Sequence, residues 1–344
     1  MRFLTFLFIA AMLTLPQKAV SQDCYRLVFW NVENYFDTYD DTAKNDDAFT
    51  PSGENHWTNR RYYTKQTHIY KTLAAIGEIS DSGLLMPLVV GMAEVENDKV
   101  LRDLCQGTPL RRFGYDFIHF DSPDRRGIDN ALLYRKNIFT PFLSQNISVS
   151  DSSKHFFTRD ILLVEGCTQT SDTIVILVVH LPSRRSDDND RHRKDIAQKL
   201  RYIMDTLAYV HPTAAIVTMG DFNASPKDPE IRNVLMHDND DRFVNLMDTP
   251  DELGSYKYQG HWSFLDQIIV SSNLTIDGHQ CPFRLTHKKG FAFQADFLLK
   301  DDDKFLGLKP YRTYLGIRYL GGFSDHLPVY IDIQTNKKQK IPSN

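Results

Sequence analysis

Residues of the kinds that move protons, hold metal ions or bind phosphate recur beside the apolar runs of this 344-residue chain. Asn31 follows the run 27–30, Glu94 follows 88–93, His180 follows 174–179, and Asp221 and Asn223 follow 215–219. Asp266 directly precedes 267–270, and Asp325-His326 lie just before 329–333. One such residue at a strand end is ordinary turn chemistry. The same few types at every one of these ends are what a rigid scaffold needs to present groups to a shared cleft. Amide and carboxylate oxygens without thiolates suit a hard cation, Mg2+ with Mn2+ as a possible substitute. Such an ion stabilises charge on a phosphoryl oxygen or a leaving group. His326, oriented by a carboxylate such as Asp266, is a candidate general base, and His180 can donate a proton or a hydrogen bond. The chemistry this set supports is metal-assisted hydrolysis of a phosphate ester. No Gly-rich P-loop, G-x-S-x-G or H-E-x-x-H occurs, which disfavours a nucleotide-driven motor, a serine hydrolase and a zinc peptidase.

The runs themselves, with a further one at 131–134, are short, rich in β-branched residues and nearly continuous rather than alternating. They predict strands covered on both faces. Ile69, Leu73, Ile76 and Ile79 share one helical face, as do Ile196, Leu200, Ile203 and Leu207 ahead of the stop at His211-Pro212. Asn97 is the expected N-cap of a shorter helix. Segments 37–59 and 280–319 look like excursions from the core. With no repeat, linker or shift in composition, residues 22–337 are expected to form a single catalytic domain, and the polar, basic residues 338–344 a flexible tail.

With 42% hydrophobic and 24% charged residues, the chain is neither disordered, collagen-like nor a coiled coil. A net charge of −4 opposes a protein built around one strongly basic surface but permits local basic clusters. Arg2, the apolar stretch 3–15 and Ala19-Val20-Ser21 predict a secretory signal peptide over residues 1–21. That stretch is too short for a membrane span, which needs roughly 20 residues. A lipoprotein at Cys24 is disfavoured by Asp23 before it. The expectation is an exported protein, periplasmic or extracellular, whose remainder loses Arg2 and Lys18 and carries −6. Cys24, Cys105, Cys167 and Cys281 are compatible with up to two disulfides in any of three pairings, or with burial as small hydrophobes.

Six blocks then carry a resemblance. They are Phe29-Trp30-Asn31-Val32-Glu33-Asn34, Gly91-Met92-Ala93-Glu94-Val95-Glu96-Asn97, Arg126-Gly127-Ile128-Asp129-Asn130-Ala131-Leu132-Leu133-Tyr134, Val179-His180-Leu181-Pro182-Ser183-Arg184, Gly220-Asp221-Phe222-Asn223 and Phe323-Ser324-Asp325-His326-Leu327-Pro328-Val329. Ser263-Phe264-Leu265-Asp266-Gln267 fits a seventh. In this order the chain resembles the endonuclease/exonuclease/phosphatase superfamily, with its deoxyribonuclease I-like fold. The resemblance implies an α/β (α+β) fold, a four-layer αββα sandwich of two mainly antiparallel sheets with helices outside. It implies Asn31 and Glu94 as metal residues with Asp325 close by, and His326 with Asp266 as the base-side dyad. Asp221 and Asn223 would position the water and the scissile phosphate, and His180 would bind phosphate or act as acid. In-line attack by water, without a covalent enzyme intermediate, follows.

The WNVEN, EVEN, RGIDNALLY and HLPSR forms are most similar to bacterial secreted nucleases, which implies a DNA or RNA substrate. Arg126, Arg184 and Arg185, with Asp129 beside them, are additional candidates at the phosphate, because guanidinium forks suit its oxygens. Leu-Pro-Ser-Arg-Arg after His180 replaces Lys-containing versions of the motif, and the excursion before Asp325 is long. A lipid or sugar phosphate therefore stays open as the alternative substrate. Phe291-Ala292-Phe293 and Phe297-Leu298-Leu299 are the only stretches suggestive of membrane docking, and core packing explains them better. A monomer without protein partners is expected. A non-catalytic relative is opposed by the completeness of the residue set.

Overall fold

The first apolar run is the middle of a long strand, β1 (Cys24–Tyr35), whose Leu27 and Phe29 face one apolar layer while Val28, Trp30 and Val32 face another. Two-sided burial is why the run reads as continuous rather than alternating. The computed structural model describes residues 24–78, 83–184, 187–237, 240–249, 253–275 and 281–336. Along them follow β2 (Val89–Val95), β3 (Tyr115–His119), β4 (Asp129–Arg135), β5 (Phe139–Ile147), β6 (Ile161–Thr168), β7 (Thr173–His180), β8 (Ala215–Asp221) and β9 (Phe243–Asn245). The later strands are β10 (Tyr256–Tyr258), β11 (His261–Ser263), β12 (Asp266–Ser271), β13 (Phe283–Leu285), β14 (Phe291–Ala292), β15 (Leu299–Asp301), β16 (Leu308–Pro310), β17 (Tyr314–Leu315), β18 (Arg318–Tyr319) and β19 (Val329–Thr335). The α-helices are α1 (Asn59–Glu78), α2 (Asp98–Gly107) and α3 (Asp187–Val210).

Two large sheets result, ordered β13-β19-β1-β2-β4-β3, with β14 also on β19, and β5-β6-β7-β8-β12-β9. Each is antiparallel except for one central parallel pair, β1 with β2 and β7 with β8. A parallel pair needs a crossover connection, and α1 and α3 supply the two. Leu27, Phe29, Val89 and Leu132 of one sheet meet Ile176, Val178, Val217 and Met219 of the other in the central layer. Helices α1 and α2 cover the outer face of the first sheet through Ile69, Leu73, Ile76, Leu101 and Leu104. The second sheet is covered by α3 through Ile196, Leu200, Met204 and Leu207. This is the expected helix–sheet–sheet–helix sandwich. The sheets approach closely at Gly91, where a Cβ would lie 2.8 Å from Met219 Sδ.

All seven expected strands form. Asn97 caps α2 by accepting a hydrogen bond from Val100 N at 3.1 Å, and α3 ends at Val210, ahead of Pro212. Ile79 lies outside the described residues, as do the segments expected to be a signal peptide, 1–21, and a flexible tail, 338–344. Strands β3, β5, β6 and β9 escaped the apolar-run reading. β5 is an edge strand in which exposed and covered residues largely alternate, and it carries Pro141 at a register shift, a position where a missing N–H is tolerated. The segment 280–319 is also less peripheral than expected: β13 and β14 pair with β19, and Leu298 and Tyr314 enter the helix-side core. None of the four cysteines is disulfide-bonded, and Cys105 and Cys281 are buried. Among the described residues no helix is long and apolar enough to cross a membrane.

Candidate active site

The C-terminal ends of the two parallel pairs meet across the sandwich. β1 brings Asn31 and β2 brings Glu94; β7 and β8 bring His180 and Asp221, which face each other in register. Asn31 Nδ2 donates to Asp221 Oδ2 at 3.0 Å, so one hydrogen bond joins the two sheets at the site. Local backbone aims these groups. Glu33, Asn34, Glu94 and Asn223 have φ of 55°, 52°, 63° and 48°, left-handed conformations that cost a non-glycine residue about 1 kcal/mol or more each. The kinks are held by hydrogen bonds: Asn34 N donates to Glu94 Oε2 at 2.9 Å, Glu33 N to Asn31 Oδ1 at 3.0 Å, and Asn223 N to Asp221 Oδ1 at 2.9 Å. Beside Asp221, a side chain at Gly220 would put its Cβ 2.2 Å from Val179 O of the adjoining strand, which explains the glycine of GDFN.

Asp266, first residue of β12, pairs with Asp221 across the ladder. Its Oδ2 accepts hydrogen bonds from Ser255 Oγ at 2.6 Å and His326 Nδ1 at 2.7 Å. A carboxylate only accepts, so Nδ1 carries the proton and Nε2 looks toward Asp221 Oδ2, 3.7 Å away. Ser324 Oγ ties the turn to Asn31 O at 2.7 Å and accepts from His326 N at 3.0 Å, while Trp30 Nε1 donates to His326 O at 2.9 Å. His180 Nε2 approaches the same Asp221 Oδ2 at 3.5 Å. Asp221 Oδ2 is thus the hub on which Asn31, His180 and His326 converge. Asp221, Asp266 and His326 also stand close enough to share an ion; Asp266 lies behind His326, with both of its hydrogen bonds on Oδ2.

Electrostatics separates the two histidines. Burial opposes charge on His326, but the carboxylates of Asp266, Asp221 and Asp325 outweigh it and hold its pKa well above the usual imidazole value. Burial, with the nearby charges of Arg159, Arg126 and His326, pushes His180 well below it. Burial raises Asp221 to about 7, with Asp266 adding to the rise and His326 opposing it.

These groups floor a cleft of about 890 Å³. Phe156, Phe157, Arg126, Arg159, Tyr256, Tyr258 and Asp325 are among the residues that line it. Of the residues expected in the site, Asn31, Glu94, His180, Asp221, Asn223, Asp325, His326, Arg126 and Arg184 all line it. Asp266 supports it from behind. Asp325 is engaged by Arg312 Nη2 at 2.9 Å. Arg184 is ion-paired with Asp228 and, at 3.2 Å, with Glu230. Asp129 is not brought to the cleft: it is buried and accepts from Ser122 N at 3.0 Å. Arg185 lies outside the described residues.

Arg159 was not anticipated. It is buried, with Nη1 on Asp124 Oδ2 at 3.1 Å and Nη2 on Leu181 O at 3.0 Å. Thr158-Arg159-Asp160 precedes the apolar start of β6 just as Asp266 opens β12, so the strand-end signal was present there too. Nor were Glu33 and Lys65, beneath the floor, anticipated. Glu33 accepts from Thr313 N at 2.6 Å and Tyr314 N at 3.2 Å, and Lys65 Nζ donates to Thr313 Oγ1 at 2.7 Å and Phe323 O at 2.6 Å. Burial raises Glu33 to about 7 and lowers Lys65 to about 8. Lys65→Met strips Thr313 and Phe323 of a donor and Glu33 of a cation. It is expected to lower the unfolding free energy by on the order of 3 kcal/mol, measured as a drop in urea midpoint at unchanged slope.

A family model described as the Endonuclease/Exonuclease/phosphatase family matches residues 26–335. Among curated proteins no sequence match is found. Several solved structures are similar to this chain. D. rerio TDP2 complexed with single strand DNA product is 14% identical at a TM-score of 0.55, covering 91% of this chain and 100% of that one. The human Nocturnin catalytic domain with bound sulfate anion is 15% identical at 0.55, covering 91% and 94%. A Bacteroides thetaiotaomicron mannosyl-6-phosphatase is 14% identical at 0.51, covering 90% and 99%. At such identities the likeness concerns the fold.

Proposed function

The chain belongs to the endonuclease/exonuclease/phosphatase family, and from that membership we propose that it is a metal-dependent phosphodiesterase that hydrolyses nucleic acid by direct attack of water on phosphorus. The observation that carries the chemistry is the convergence of Asn31, His180 and His326 on one carboxylate oxygen, Asp221 Oδ2. Oxygen donors suited to a hard divalent cation stand beside it. Only Oε2 of Glu94 is taken by the Asn34 N–H, and the Asn31 amide oxygen has a second lone pair. Glu94 and Asn31 would hold Mg2+, or Mn2+ in its place. When bound, the ion would supply stabilisation of charge on the phosphate and the leaving oxygen.

The remaining work falls to the protein. Asp221, with its pKa near neutrality, takes the proton of the attacking water. His326, expected from the sequence to be the base, is held as a cation by Asp266 and in this reading stabilises the phosphate. His180, kept neutral, donates a hydrogen bond to a phosphoryl oxygen. The water oxygen bonds to phosphorus as the ester bond opposite breaks, and no enzyme adduct forms. The pH dependence follows in sign. kcat/KM is expected to rise as Asp221 ionises near pH 7 and to fall at alkaline pH as His326 deprotonates. A profile flat between pH 5 and 8 would count against Asp221 as the base.

The substrate reading rests on the walls. Of the aromatic residues lining the cleft, Phe156 stacks on His192, Phe157 lies under Arg125 and Tyr256 lies against His326. That leaves exposed Tyr258 as the ring on which a base can stack, beside Arg126 and Arg159 for the phosphates, and the similar TDP2 structure holds a single strand DNA product. Arg159→Ala is expected to raise KM about 10- to 100-fold, the range for one charge-assisted contact, with a smaller effect on kcat. Steady-state kinetics on a fluorescent oligonucleotide separates the two. A second reading, a sugar phosphate, is favoured by the carboxylates that occupy Arg184 and by the likeness to a mannosyl-6-phosphatase. Protein incubated with plasmid, RNA, single-stranded DNA and a phosphoester panel, with Mg2+ or EDTA and beside His326→Ala, decides. Metal-dependent cleavage of nucleic acid supports the first reading; intact nucleic acid with hydrolysis of a sugar phosphate overturns its substrate. We also propose that residues 1–21 direct export and that the enzyme acts as a monomer. An intact N-terminus on protein recovered from the secreting cell would count against export.

A further inference from the structure

Away from the cleft, at the end of β3 and the start of β4, two buried polar atoms face each other without a hydrogen-bond partner among the described residues. They are His119 Nε2 and Asp129 Oδ2, 3.5 Å apart, and the two side chains are 3% and 2% exposed. His119 Nδ1 is 2.9 Å from Asp98 Oδ1. That carboxylate can only accept, so in the neutral ring Nδ1 carries the hydrogen and Nε2 turns its lone pair toward the Asp129 oxygen. The other Asp129 oxygen is spent on Ser122, accepting from its N at 3.0 Å and from its Oγ. The exposed carboxylate of Asp121 completes the group, with its oxygen, the His119 nitrogen and the Asp129 oxygen all within 4.8 Å of one another. Two lone pairs opposed inside the protein are costly; a metal cation between them removes the conflict, in competition with a proton on Nε2, which burial opposes but Asp129 and Asp98 favour more strongly.

We propose that His119, Asp121 and Asp129 bind a divalent transition-metal ion, Zn2+ as the best match, at a structural site separate from the cleft. One imidazole and two carboxylates fit Zn2+ better than Mg2+ or Ca2+, which prefer oxygen alone. Asp98, holding the remote ring nitrogen of His119, is the outer carboxylate that histidine ligands commonly have. None of the three ligands lines the cleft, whose own donors are Asn31 and Glu94. The site also has a structural task. Asp129 holds Ser122 at the base of the loop 120–128, and within that loop Asp124 takes Arg159 at 3.1 Å and lies beside Arg126. An ion on Asp129 and His119 fixes the loop from which the cleft arginines are positioned.

The test counts metal rather than turnover. Untagged Glu94→Ala, in which the cleft has lost the Glu94 carboxylate while Asp221, Asp266 and His326 remain, is loaded with Zn2+, passed through a desalting column and assayed for zinc by mass spectrometry, so that only zinc lost on altering the second site counts for it. About one equivalent is expected to remain. Adding Asp121→Asn, at an exposed position where the fold is not at stake, or His119→Ala, is expected to weaken Zn2+ binding at least about tenfold in a chelator competition. In 15N spectra of the loaded protein, His119 is expected to keep a proton on Nδ1 only and to change on chelation. Zinc absent from Glu94→Ala, zinc retained equally by the added variants, or a His119 ring protonated on both nitrogens at saturating Zn2+ overturns the proposal. The last outcome would identify His119 as an imidazolium held among carboxylates.

Discussion

Asp221→Asn is expected to lower kcat by about 10²- to 10⁴-fold, the range for losing a positioned general base, while leaving the protein folded. Asparagine keeps the size of the side chain, but its single oxygen can keep only one of the two bonds that Asp221 accepts on different oxygens, from Asn31 Nδ2 at 3.0 Å and from Asn223 N at 2.9 Å. What it loses is the ability to take a proton near neutral pH. The variant is therefore expected to show a small change in melting temperature, a KM close to native and no acid limb near pH 7. His326→Gln is the informative partner. It removes the cation, so activity should fall most near neutral pH, the alkaline limb should disappear, and the Asp221 limb should move to higher pH because His326 no longer opposes its rise. If Asp221→Asn keeps kcat within tenfold of native, the proton goes elsewhere and His326 returns as the candidate base. These outcomes need only steady-state kinetics between pH 5 and 9.

The second large effect is expected at the metal. EDTA is expected to abolish hydrolysis, and Mg2+ or Mn2+ to restore it. Glu94→Gln is expected to cost on the order of 4 kcal/mol of transition-state stabilisation, about a thousandfold in kcat/KM at fixed metal concentration. Glu94 has one oxygen on the Asn34 N–H and a backbone held at φ 63°, so the amide is placed where the carboxylate was and the comparison isolates charge. Partial rescue of Glu94→Gln by raised Mg2+ is the signature of weakened binding. A variant as active as native, or native protein indifferent to EDTA, would move the ion to other ligands or remove it from the reaction.

Much of the site could be read from the chain because its groups abut continuously apolar strands. Asn31, Glu94, His180 and Asp221 all end such runs, and the runs became the central strands of the two sheets. That signal locates an end of a sheet but says nothing about the face on which a side chain emerges. Asp129 shows the limit. It opens β4 as Asp266 opens β12, yet its side chain turns to Ser122 and His119 while Asp266 turns to His326. Arg159 was lost with β6, whose apolar start gives way to Glu165 and Gly166. Glu33, Lys65 and Arg312 were lost for a different reason: their partners come from other parts of the chain, Glu33 taking the N–H groups of Thr313 and Tyr314, Lys65 the Thr313 hydroxyl and Phe323 O, and Arg312 the Asp325 carboxylate. No spacing along the chain encodes those meetings.

In the proposed mechanism the two parallel pairs divide the labour: Asn31 and Glu94, the proposed metal donors, stand on one sheet and Asp221 and His180 on the other, with Asn31 to Asp221 as the bond between. The reaction centre is therefore an alignment gauge for the whole sandwich. Sliding one sheet over the other by about 1 Å would shift phosphate against water, an error of the size that costs about a hundredfold in rate. Hydrophobic residues far from any substrate thereby acquire a kinetic role. At Gly91, where a Cβ would meet Met219 Sδ at 2.8 Å, a single added methyl acts as a shim between the layers. It should detune turnover well before it unfolds the protein.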